Sequence, residues 1–169
     1  MQNHLERLAL RDKMDPMTNQ ENKVSENALS GFIQAAGVIL AVSYPVLALS
    51  AGARSFYQMF FKEGVTNYLP AILSGVAAVL YLLATLGFVI RKRWAWRLSV
   101  SILTFELAMV LLVGMFSLFY PDTIGRTVWG RFGADYAYFP LIQPLLGLAW
   151  LFHRQTRATY GITKPTTDA

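Results

Sequence analysis

Long apolar runs alternate with short clusters of charged residues after a polar start to the chain. The runs cover about residues 31–51, 69–90, 98–120 and 136–152. A transmembrane helix needs about 20 mostly apolar residues, and the first three runs reach that length. The fourth run is the shortest and contains Pro140 and Pro144, which leaves a re-entrant hairpin as the alternative to a span. Because Asp135 and Arg154 flank it, a full crossing is favoured, and the pattern predicts four transmembrane helices.

Composition supports lipid, and not an oversized soluble core, as the environment of these runs. The chain is 54% hydrophobic and only 15% charged, whereas soluble domains carry about 25% charged residues. The polar segment 1–29 shows no cleavable signal peptide, and we expect a mostly disordered cytoplasmic tail there. Residues 154–169 are expected to form a second cytoplasmic tail, after a transmembrane domain over residues 30–153.

The distribution of basic residues predicts the orientation in the membrane. Eleven of the 15 Lys and Arg residues lie in the two tails and in the short RKRWAWR loop at 91–97. The other four lie in the remaining two loops: Arg54, Lys62, Arg126 and Arg131. Lys and Arg accumulate on the cytoplasmic side of membrane proteins. The sequence therefore predicts an all-α bundle of four transmembrane helices, with both ends inside and with structured extracytoplasmic loops.

A layer of polar side chains is expected near the middle of the bundle. Glu106 lies about 12 Å along the third span from its cytoplasmic end, and Tyr81 and Gln143 lie about 13 Å along theirs. Intramembrane carboxyl groups are costly and usually face the bundle interior. One interpretation is a proton or cation site at Glu106. The favoured one is a protonated acid that is hydrogen-bonded to Gln143 or Tyr81 and joins the helices.

The second outer loop, PDTIGRTVWGRFGAD, is a candidate surface for a lipid or a protein partner. Arg126 and Arg131 flank Trp129, and two guanidinium groups could hold a lipid phosphate or an acidic partner loop. They could equally pair with Asp122 and Asp135 in the same loop. The sequence leaves both interpretations open.

Several classes of site are excluded by the residues that the chain lacks. It has no cysteine and only two histidines, so thiolate metal sites and a haem held by two intramembrane histidines are not expected. No metal-ligand spacing or phosphate-binding loop is present. The net charge is +5, and the basic residues lie beside the spans. Their placement indicates membrane orientation and not nucleic-acid binding. We therefore expect no cofactor and no enzymatic activity.

Residues 102–151 carry a resemblance to a known group of proteins. The motifs are FELAMV around Glu106 and IGRTVWGRFGADYAYFPLIQPLLGLAWL, with RKRWAW just before them. This half of the chain resembles small, uncharacterised four-span membrane proteins of actinobacteria. The resemblance implies a bacterial plasma membrane and brings no assigned activity.

Two functions follow as hypotheses. The favoured one is a non-enzymatic accessory or assembly subunit of a larger membrane complex, with the lipid bilayer and another integral membrane protein or a second copy as partners. The alternative is a small oligomeric transporter or channel with Glu106 as its proton or cation site. A transporter should give water access to Glu106, whereas an accessory subunit should show an exposed apolar groove.

Overall fold

The computed structural model describes the backbone of residues 2–163 and the side chains of residues 20, 21 and 23–163. The chain divides into two compact units, Met1–Ala35 and Ala36–Ala169. The regular elements are α1 (Gln2–Phe60), α2 (Leu69–Val89), α3 (Arg93–Phe119), α4 (Pro121–Ile124), a 3-10 helix (Gly130–Tyr136), α5 (Phe139–Phe152) and α6 (Arg154–Thr159). All regular elements of the described residues are helical, which confirms the predicted class.

Three of the helices are long and apolar enough to cross a membrane. They are the segment Lys23–Phe60 of α1, and α2 and α3. The fourth apolar helix, α5, has 14 residues and is about 21 Å long at 1.5 Å per residue, which is less than the roughly 30 Å of a hydrocarbon core. The fourth crossing therefore stays a prediction. So does the disorder predicted for 1–29 in solution, although α1 begins at Gln2.

Helix α3 lies at the centre of the second unit, where it packs against α2, α5 and the 3-10 helix. Its buried residues recur at spacings of three and four, which places them along one side of the helix. They are Ala95, Ser99, Ile102, Leu103, Glu106, Val110, Val113, Gly114 and Ser117. The carboxyl of Glu106 is thus the one acidic group on a stripe of apolar and small residues.

Small residues bring α1 and α2 together. The hydroxyl of Ser55 donates a hydrogen bond of 2.8 Å to the backbone carbonyl of Ala71. A Cβ atom on Gly75 would lie 2.8 Å from the Ser55 hydroxyl oxygen, so only glycine permits this approach. Close backbone contact at small residues is how helices associate where no water drives them together.

Large apolar side chains point outward from each of the four apolar helices. Leu49, Leu82, Leu112 and Leu146 are all more than half exposed. Soluble monomers rarely expose contiguous apolar surface on this scale. The outward-facing side chains therefore fit a multi-pass membrane protein.

Candidate functional site

Four polar side chains from four separate elements are completely buried near the middle of the bundle. They are Tyr44 of α1, Tyr81 of α2, Glu106 of α3, and Trp129 in the loop between α4 and the 3-10 helix. The two tyrosine rings meet edge to face, with 5.8 Å between their centroids. We call these four residues the polar layer.

The groups of the polar layer face one another without forming hydrogen bonds of ordinary geometry. The Tyr44 hydroxyl faces the Glu106 carboxyl, and the Tyr81 hydroxyl lies within the range of electrostatic interaction with the same carboxyl. The indole N–H of Trp129 faces the Tyr81 hydroxyl. None of the polar side-chain atoms in this layer has a hydrogen-bond partner among the described residues. These atoms are the two carboxyl oxygens, the two tyrosine hydroxyls and the indole nitrogen. A buried polar group without a partner costs about 1–3 kcal/mol, so small shifts that complete these bonds are favourable.

The chemistry of the polar layer is that of an acceptor surrounded by donors. Phenol O–H and indole N–H groups donate, and a carboxyl oxygen accepts. The ion pairs of the described residues all converge on Asp135, so Glu106 belongs to none of them. The arrangement suits a carboxyl group that joins three segments of the chain by hydrogen bonds. It offers no basic partner for an ionised carboxylate.

Gln143, which the sequence places at the same depth as Glu106 and Tyr81, makes its hydrogen bond to α1. Its side chain is buried and donates from Nε2 to the hydroxyl of Ser43 at 2.6 Å. It therefore joins α5 to α1. On α1, Tyr44 packs between Tyr81 and Phe88, with 5.2 Å between the Tyr44 and Phe88 ring centroids.

A second cluster joins α1 to the segment of residues 121–135, where three arginines surround one carboxylate. The Nε of Arg126 is 3.0 Å from Asp135, an Nη of Arg131 is 3.2 Å away, and an Nη of Arg54 is 3.8 Å away. We call these four residues the arginine cluster. The sequence offers Asp122 and Asp135 as partners of the two loop arginines. The structure shows both arginines paired with Asp135. Trp129, which the sequence groups with the two loop arginines, belongs to the polar layer instead.

The backbone that carries the arginine cluster is held in an unusual conformation. Arg131, Phe132 and Gly133 have successive φ values of 47°, 60° and 83°, in the left-handed region that costs non-glycine residues about 1–2 kcal/mol each. Contacts to α3 offset that cost. The N–H of Arg131 donates to the hydroxyl of Ser117 at 2.7 Å, and the Phe132 ring lies directly over Gly114.

Adding a methyl group to Gly114 should displace the outer loop. The new Cβ would lie 2.5 Å from Cδ1 of Phe132, so we expect Gly114→Ala to lower the free energy of unfolding by about 1–3 kcal/mol through overpacking. At Gly52 the new Cβ would meet Ala78 at an ordinary 3.6 Å. Gly52→Ala should therefore be neutral, or stabilising by up to about 1 kcal/mol. Thermal unfolding in detergent compares the two variants, and equal melting temperatures would contradict the packing described.

The arginine cluster should also make stability depend on pH. The hydrogen bond from Arg126, with the nearby charges, lowers the pKa of Asp135 below its usual 3.8. A lowered pKa contributes stability that is complete above the unfolded-state pKa, near 3.9, and is lost as the pH falls through the folded-state pKa. Asp135→Asn should therefore melt below the unmodified protein at pH 7, and the difference should shrink as the pH falls below about 4 and vanish below the folded-state pKa. Asp122→Asn is the control, because Asp122 makes no ion pair within the described residues.

The described residues contain no group of three or more His, Asp or Glu side chains that could hold a metal ion. No family model, curated protein or solved structure matches the chain. What the site can do is therefore argued from its geometry.

Proposed function

We propose that the chain is a four-span protein of a bacterial plasma membrane, similar to the small actinobacterial proteins that its C-terminal half resembles. In this proposal it acts as a non-enzymatic accessory or assembly subunit of a larger membrane complex. The observation that carries the proposal is the complete enclosure of Glu106. A proton or cation site must exchange its cargo with water, whereas Glu106 is fully buried and lines none of the four surface cavities described below and in the next section.

Contacts at the two ends of α5 support the fourth span. Asp135, just before α5, pairs with Arg54 near the end of α1. After α5, the hydroxyl of Tyr160 donates to the carbonyl of Gly87 at 2.9 Å, close to the RKRWAWR loop. A helix whose two ends lie at opposite ends of the bundle suits a membrane crossing. Such a crossing puts the segment after α5 on the same side as the basic loop at 91–97.

Two shallow apolar grooves on α1 and α2 support docking by a transmembrane helix of a partner. Their volumes are about 320 and 380 Å³, and small residues line both. Among these residues are Gly52, Ala53, Gly75 and Ala78. Small residues allow a second backbone to come close, which is the usual basis of helix association in lipid.

Cysteine labelling tests the topology, and the chain has no native cysteine to interfere. In intact cells, an impermeant thiol reagent should label Lys62→Cys and should leave Lys92→Cys unmodified until the membrane is permeabilised. Both side chains are exposed, so access to the reagent depends on the side of the membrane. Labelling of Lys92→Cys from outside would contradict the proposed orientation.

The accessory function is tested by crosslinking and by ion flux together. A photoreactive residue at Val79, in both grooves, should crosslink one defined membrane protein in native membranes. The same residue at Leu118 should not, although the two side chains are 56% and 55% exposed. In proteoliposomes, the unmodified protein and Glu106→Gln should give the same proton and cation flux as empty vesicles. A flux that depends on Glu106 would contradict the proposal and favour the small oligomeric transporter.

A further inference from the structure

A lateral groove of about 560 Å³ runs between α1 and the start of α5. Along α1 its lining includes Ser43, Leu47 and Ser50, which recur at spacings of four and three and so share one side of the helix. Across the groove its lining includes Tyr136 and Phe139. The hydrogen bond between Gln143 and Ser43 closes its inner end.

The arginine cluster lies at the outer end of this groove. Arg54 follows Ser50 by four residues on the same side of α1, and its partner Asp135 lines the groove directly. From Ser43 to Arg54 the helix rises about 16 Å. That distance is close to half of the roughly 30 Å hydrocarbon core, or one leaflet.

Positive charge is in excess around the outer end. Arg54, Lys62 and Arg126 line an adjoining cleft of about 330 Å³ together with Asp122, and Arg131 binds Asp135 from the other side. Four basic side chains therefore face two acidic ones. The side chains of Arg126 and Arg131 are 77% and 64% exposed even though they contact Asp135, so their remaining N–H groups are open to a ligand.

We propose that this groove binds one anionic phospholipid of the outer leaflet. An acyl chain lies between α1 and α5 down to the Gln143–Ser43 hydrogen bond, and the phosphate group meets the arginine cluster. An apolar channel one leaflet deep with a cationic outer end matches an anionic amphiphile in both shape and charge. Guanidinium groups bind phosphate through paired N–H donors. This inference rests on the proposed orientation in the membrane and does not depend on the proposed accessory function.

A partner helix is the main competing occupant, and charge argues against it. A second transmembrane helix in the groove would have to bring acidic side chains to the level of the arginine cluster to match its charge. The grooves at Gly52 and Gly75 carry no such charge and lie on another side of the bundle. The lateral groove therefore fits a lipid better than the helix-docking grooves do.

Native mass spectrometry tests the proposal on the full-length protein in mild detergent. The protein is titrated with phosphatidylglycerol and phosphatidylcholine that have the same acyl chains, and the first bound lipid is compared. We expect a preference for phosphatidylglycerol. The double variant Arg126→Gln, Arg131→Gln should reduce that preference at least about fivefold, which is the typical effect of one arginine at a membrane surface. Lys92→Gln, Arg97→Gln removes the same charge at the opposite end and should leave the preference unchanged.

A second pair of variants tests the acyl-chain channel. Val46 lines the groove, whereas Val42 lies one turn earlier on α1 and does not, and both are 62% exposed. Val46→Trp should fill the channel and lower retention of both lipids, while Val42→Trp should not. Melting temperatures establish that each variant is folded.

Three outcomes would overturn the proposal. The first is equal binding of the two lipids by the unmodified protein, and the second is an equal preference in the two double variants. The third is an effect of Val46→Trp on a bound second copy or another protein, with lipid retention unchanged. That result would identify a protein as the occupant of the groove.

Discussion

Replacing Trp129 by alanine should lower the free energy of unfolding by about 3–5 kcal/mol, the range for a fully buried aromatic side chain. Thr127, Val128 and Trp129 are all buried, so the outer loop inserts into the bundle at this point. The indole reaches Tyr81 of α2. Its removal would leave a cavity beside the polar layer and would separate the loop from the helices beneath it.

Two controls show how far the loss at Trp129 depends on a buried aromatic ring. Trp129→Phe keeps a six-membered aromatic ring and loses the rest of the indole with its N–H, so it should cost less than alanine. Trp94→Ala removes an indole that is about half exposed and should cost little. Thermal unfolding followed by far-UV circular dichroism measures all three. A loss at Trp129→Ala as small as that at Trp94→Ala would contradict the insertion of the loop.

Substitutions at Glu106 should separate the shape of the carboxyl from its charge. Glutamine keeps the size and still accepts hydrogen bonds, so Glu106→Gln should unfold close to the temperature of the unmodified protein. Glu106→Ala removes the acceptor that Tyr44 and Tyr81 face. Leaving a buried donor unsatisfied costs about 1–3 kcal/mol, and the cavity adds to that loss.

Val110→Ala is the matched control for Glu106→Ala. Val110 lies one turn along α3 on the same buried stripe and is also fully buried. Its truncation makes a cavity without stranding a polar group, so it should cost less than Glu106→Ala. If Glu106→Gln instead loses as much stability as Glu106→Ala, the carboxylate charge itself holds the layer together.

The long helices were predictable because their signal is local. Apolar runs of the length of a span, broken by charged clusters, indicate helices α2 and α3 without reference to any partner. The burial of Glu106 follows similarly, since a carboxyl within an apolar helix must avoid lipid. These inferences need only one segment of chain at a time.

The partners of Glu106 could not be predicted in this way. Counting residues from the end of a span gives depth, but it does not give the direction in which a side chain points around the helix. Gln143, which the sequence groups with Glu106 and Tyr81, turns to Ser43. The contact of Tyr44 with Tyr81 could not be predicted, because the hydropathy pattern does not fix how far one helix slides along its neighbour.

The outer loop shows the same limit in its charges and its backbone. The sequence identified Arg126, Arg131 and Asp135 as possible partners but could not choose among the pairings. Arg54 joins the cluster from a distant part of the chain. The glycines at 125, 130 and 133 indicated tight turns, but neither Arg131 nor Phe132 favours the left-handed conformation by itself.

The contact between Tyr160 and Gly87 has a consequence for biosynthesis. It joins residues 73 positions apart in the chain, whereas α2 and α3 are joined by a short turn and can pair soon after they leave the ribosome. A contact that distant cannot form until everything between its two residues has been made. The bundle is therefore completed only when the segment that carries Tyr160 has been made and has returned to α2. Until then, nascent molecules lack this contact.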